Sequence, residues 1–116
     1  MALAALGTFA VPASAAGSSF DTANELRELC VAIDDDELSA AKRISCISFL
    51  TGAVKAFQIS AARNGSKDFC LNASVNAQVI VENFLDYLRK YPVMESGNSV
   101  LAILGSLSDK FPCADD

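Results

Sequence analysis

Four cysteines, Cys30, Cys46, Cys70 and Cys113, stand far apart in a chain of 116 residues that contains no histidine. An even number of widely spaced cysteines in a short exported chain reads as a framework of two disulfides. A zinc site usually collects its ligands in close pairs such as Cys-x-x-Cys, often with histidine, and this chain has neither, so no metal is expected. The same lack of a Cys-x-x-Cys pair speaks against redox chemistry. Of the three possible pairings, Cys30 with Cys113 would tie the first predicted helix to the chain end. Cys46 with Cys70 would then tie the second helix to the loop before the third. That pairing needs the segment from Gly65 to Phe69 to run extended back along the second helix for about 25 Å. The main rival is Cys30 with Cys46 and Cys70 with Cys113. Bridges closing loops of these lengths are worth about 3–5 kcal/mol each, a large share of the total for a small domain.

An exported setting is what the N-terminus suggests. Residues 1–16 are apolar and end in the small-x-small pattern Ala13-Ser14-Ala15, which reads as a signal peptide cleaved after Ala15 or Ala16. Its usual basic n-region is missing, which points to a start that lies upstream or was trimmed. Residues 21–113 then form a single helical domain. So small a domain buries a modest share of its unfolded surface, and covalent cross-links offset that deficit.

Apolar residues make up 52% of the chain and charged residues 20%, with a net charge of −5. No uninterrupted apolar run approaches the length of about 20 residues that spans a bilayer, so no membrane span is expected. The acidic balance opposes a phosphate backbone, and no nucleic-acid partner is expected. It suits a basic protein partner, although many solvated proteins are equally acidic.

The periodicity of apolar residues predicts an all-α bundle of about four helices. Asp21 or Thr22 caps a first helix to about Ile33, with Leu26, Leu29, Cys30 and Ile33 on one stripe. The run Asp34-Asp35-Asp36-Glu37 faces the positive end of a second helix, Glu37 to about Arg63, ended by Asn64-Gly65. Leu38, Ala41, Ile44, Phe49, Leu50, Val54, Phe57 and Ala61 form its expected inner face. A third helix starts near Ser74 or Asn76 and runs to Tyr91, where Pro92 stops it. Val81, Phe84, Leu85, Leu88 and Tyr91 should face inward. A last helix from Asn98 to Lys110 offers Val100, Leu101, Leu104, Leu107 and then Phe111 to the core.

Without histidine the chain cannot form a Ser-His or Cys-His nucleophile pair, and its one dense carboxylate group sits at an expected exposed turn. The glycines are scattered singly, so no phosphate-binding loop is present and no cofactor is expected. The chain is therefore read as a binding protein and not an enzyme.

Several of these residues form a larger pattern. Phe69-Cys70-Leu71, Val75-Asn76 opening a helix, Val81 to Leu88, Tyr91-Pro92 and the terminal Phe111-Pro112-Cys113 resemble the Rap1a/Tai family of type VI secretion immunity proteins. Cys30 and Cys46-x-x-Phe49-Leu50-x-Gly52 fit the same pattern, so the resemblance covers about Leu26 to Cys113. The chain departs from it at Asn72, where the family commonly has proline, and near Ser74, where glycine is common. The resemblance implies a periplasmic helical homodimer that binds a peptidoglycan amidase effector and occludes its cleft. In this sequence the loop from Tyr91 to Asn98 is the partner-binding candidate, with Tyr91, Val93, Met94, Glu95 and Asn98 as its residues. The competing reading of Tyr91, Val93 and Met94 is that they cover the end of the bundle. Two other functions suit such a scaffold: an HdeA-like periplasmic acid-stress chaperone and an envelope structural module.

Overall fold

The computed structural model of the chain describes residues 20–114, so the expected leader, residues 1–16, lies outside them. Four α-helices follow one another: α1 (Ala23–Cys30), α2 (Glu37–Asn64), α3 (Ala77–Lys90) and α4 (Ser99–Lys110), with a 3-10 turn, Pro92–Ser96, between the last two. Among the described residues the only β pairing is an isolated bridge between Thr22 and Asn98.

Each helix begins where a short polar side chain can take up a free N–H. Thr22 accepts from the Glu25 N–H while the Glu25 carboxylate accepts from the Thr22 N–H, a reciprocal cap. Asp36, Asn76 and Asn98 each accept from the backbone N–H three residues on. Within the acidic run Asp36 therefore serves as the cap of α2, as its place before that helix implies. That N–H bond from Ser39 holds the exposed Asp36 carboxyl below its ordinary value of 3.8. At the other end of α2, Gly65 takes up a left-handed φ of 73°, a conformation open to glycine at little cost.

The core is built from Leu26 and Leu29 of α1, Cys46, Leu50 and Val54 of α2, and Phe69 of the connecting loop. Ile80, Phe84 and Leu88 of α3 join Ala102, Ile103 and Leu107 of α4 to complete it. Small residues let α4 come close. Ser99 and Ser106 are buried, and their hydroxyls donate to the backbone oxygens of Phe20 and Ile103. At Gly105 an added Cβ would stand 2.5 Å from the Tyr87 hydroxyl, so a bare backbone there seats the Tyr87 ring.

Four expectations about inner faces are corrected. Ile33 is 87% exposed because α1 ends at Cys30, and Arg43 of α2 donates to the carbonyls of Ala32 and Asp34 beyond it. On α2, Leu38, Ala41 and Ile44 face outward. The buried stripe is Ser39, Cys46, Leu50 and Val54, a rotation that periodicity hides because apolar residues surround the whole helix. On α4, Val100 and Leu101 are exposed and Ala102 and Ile103 are buried instead, since the small residues of this helix mark the close-packed side. Tyr91, expected inside, is also exposed. By length and composition α2 is apolar enough to cross a membrane, which the count of uninterrupted apolar runs did not register.

The disulfide pairing is corrected too. Cys30 joins Cys46 and Cys70 joins Cys113, closing separations of 16 and 43 residues. The short link between α1 and α2 folds them into a hairpin that brings Cys30 to within 5.1 Å, Cα to Cα, of Cys46. The segment before Cys70 does not run back along α2. It buries Phe69, and the Cys70 N–H donates to the Phe111 carbonyl at 2.8 Å, which lays the loop against the chain end.

Two outcomes follow. Replacing Cys70 and Cys113 by serine should cost about 4 kcal/mol and replacing Cys30 and Cys46 about 3 kcal/mol, because the longer loop regains more chain entropy. Urea unfolding of the two double variants gives that order. As Asp36 has a lowered pKa in the folded chain, its cap contributes in full above the ordinary carboxylate value and fades as pH falls through the folded value. Asp36→Asn should keep the cap and flatten this part of the stability curve below about pH 4, seen in acid titration by circular dichroism.

Candidate functional site

The segment between α3 and α4 is short and tightly held. Pro92 starts the 3-10 turn, Tyr91 accepts from the Met94 N–H at 2.9 Å, and the Gly97 N–H donates to the Met94 carbonyl at 3.1 Å. Behind it, the chain before α1 acts as a clasp. The Ala23 N–H donates to Gly97 and the Ser99 N–H donates to Asp21, both at 2.9 Å. A surface feature fixed at both ends loses little conformational entropy when it meets a partner.

The structure places the five candidate residues differently from one another. Val93 is the crest, 79% exposed, and Tyr91 is exposed at its base. Glu95 is half-buried, and Met94 is half-buried with its side chain packed on the core. The Asn98 carboxamide oxygen is occupied in capping α4, while its backbone pairs with Thr22. Tyr91 and Val93 therefore share the outer face, and Met94 and Asn98 hold the turn in place.

Around Tyr91 the charges are arranged as supports. Its ring lies 5.0 Å from that of Tyr87 and 5.3 Å from the Lys90 ammonium, which also sits 3.4 Å from Asp109. The Tyr91 side chain and then Asp109 hold the Lys90 ammonium above its usual range, and burial, helped by Asp109, pushes the Tyr87 phenol up. Both shifts move these groups away from neutrality, so neither is tuned for proton transfer at physiological pH. All four cysteines are cross-linked, and the described residues contain no cluster of three carboxylates or thiols that would hold a metal. Away from the turn, one of several shallow concavities, ≈ 260 Å³, lies between the end of α2 and the Phe69 loop and is lined by Phe57, Ala61, Lys67 and Leu71.

The clasp from Phe20 to Ala23 was not foreseen from the sequence. Its only signal was Thr22-x-x-Glu25, which announces a helix start but not a strand-like contact 76 residues along the chain.

The described residues thus form a helical module cross-linked by two disulfides, with a projecting turn braced from behind. The family model of the Rap1a immunity proteins matches residues 22–113, and the chain belongs to that family. No curated protein and no solved structure matches it.

The two sides of the turn separate in their effects. Val93→Asp should leave stability within about 0.5 kcal/mol, as for other surface changes. Met94→Ala should cost about 1–2 kcal/mol, part of the penalty for a fully buried methionine. Thermal melts of the two variants check both values.

Proposed function

We propose that the protein is a periplasmic immunity protein that binds a peptidoglycan amidase effector of a type VI secretion system and occludes its active-site cleft. Membership of the Rap1a immunity family over residues 22–113 carries this reading. The contact runs through the turn from Tyr91 to Asn98: Val93 enters the cleft, Tyr91 packs at its rim, and Glu95 supplies a charged contact. Met94 and Asn98 keep that shape. An aromatic and an apolar anchor ringed by polar groups is the composition typical of a small set of residues that dominates an interface.

Two further properties belong to the same reading. The disulfides suit an oxidising compartment, which the periplasm provides. The acting unit is a homodimer, so that each copy presents one turn to one effector.

The test is to inspect the reading frame next to this chain's for an amidase and to co-express the two in the periplasm. Protection from lysis and a stable complex on size exclusion are expected. Val93→Asp should weaken that complex by about 2 kcal/mol, near thirtyfold, since a carboxylate would be carried into an apolar contact. Absence of both binding and protection by the folded wild-type chain would remove the amidase as partner.

A further inference from the structure

Phe20 stacks on Phe49 of α2, with ring centroids 4.7 Å apart and planes within 6° of parallel, and both rings are half-buried against the core. From Phe20 a short path of hydrogen bonds leads to the projecting turn. The buried Ser99 hydroxyl donates to the Phe20 carbonyl, and the Ser99 N–H donates to the Asp21 carbonyl at 2.9 Å. The Ala23 N–H donates to the Gly97 carbonyl at 2.9 Å, and the Gly97 N–H closes the turn on the Met94 carbonyl at 3.1 Å. We infer that Phe20 and Phe49 are positioning residues of the partner-binding turn, an assignment that rests on that turn being the contact surface. Their stack pins residues 20–23 as a strap, and the pinned strap fixes the segment from Tyr91 to Asn98 in the shape a partner meets.

The far end of the strap lies where no helix holds it. Phe20 and Asp21 come before Thr22, the cap of α1. The Phe20 ring, set on Phe49, ties this end to α2. Two links of the strap end on Ser99, the first residue of α4, whose N–H is one of the helix-start donors without a partner inside the helix. The Asn98 side chain takes up the Leu101 N–H, so the Ser99 N–H depends on Asp21. Ser99 is 1% exposed, and swinging Phe20 and Asp21 away would leave two buried donors without partners. Neither Phe20 nor Phe49 belongs to the turn. Their effect on binding runs through order: a turn already fixed in shape loses less conformational freedom when it meets a partner.

Amide hydrogen exchange of the oxidised chain, followed residue by residue by NMR, tests the inference. Leu107, fully buried in α4, reports opening of the whole fold, and the rates at Ser99, Gly97 and Met94 are taken relative to it. Phe20→Ala and Phe49→Ala should each raise these three ratios by about tenfold. Combining the two changes should add little, since either one already removes the pair. Phe20→Tyr keeps a ring on Phe49 and should leave the ratios at their wild-type values. Unchanged ratios in the alanine variants, or a rise at Ser99 that leaves Gly97 and Met94 protected, would overturn the inference. Where Phe49→Ala does not fold, Phe20→Ala and Phe20→Tyr decide it by themselves. The amidase of the co-expression test should bind Phe20→Ala about threefold to tenfold more weakly than the wild-type chain, and Phe20→Tyr as well as the wild-type chain. Wild-type affinity in Phe20→Ala would also count against the assignment. A folded wild-type chain that binds no amidase removes that partner, while the exchange ratios still score the stack.

Discussion

Both disulfides close loops that follow one another along the chain, and the way the bundle holds together depends on that arrangement. Cys30–Cys46 fastens α1 to the first part of α2, and Cys70–Cys113 fastens the loop after α2 to the end of α4. No cross-link runs from the first half to the second. What joins them is the packing of Leu26, Leu50, Phe84, Ile103 and Leu107, all fully buried, and the clasp of Asp21 to Ala23 on Gly97 to Ser99. Cross-links remove entropy from the unfolded chain inside each loop. The cohesion between the loops is left to apolar burial and to a few backbone hydrogen bonds, which is why small residues are placed where α4 meets its neighbours.

Helix starts, stops and number were legible in the sequence because they depend on local chemistry: Thr22, Asp36, Asn76 and Asn98 as caps, Gly65 and Pro92 as stops. Inner faces were legible only where a helix is amphipathic. Phe84 and Leu88 on α3 were placed correctly, as were Leu50 and Val54 on α2, but apolar residues are spread around α2 and periodicity selected Leu38 and Ile44 in place of Ser39 and Cys46. On α4 the buried side is marked by serine and alanine, which a count of large apolar residues passes over. The pairing of cysteines depends on the path of the loop after Gly65, and no local signal in the sequence encodes that path.

The candidate turn shows the same division. That Pro92 would end a helix and open a loop follows from its ring, but which of its residues point outward is a tertiary matter. Val93 projects because Met94 takes the inward place beside the core, and Asn98 is drawn into capping the next helix. The brace behind the turn comes from the beginning of the domain, so the shape of the turn is set jointly by its own residues and by Asp21 to Ala23.

Consecutive pairing also bears on biogenesis. A polypeptide emerges N-terminus first, so Cys30 meets Cys46 before Cys70 is available, and Cys113 arrives last to find Cys70 as the remaining thiol. Oxidation in order of emergence yields the native connectivity directly. Such a chain has little need of a disulfide isomerase, whereas a crossed or nested arrangement would have to reshuffle early bonds on a timescale of seconds to hours.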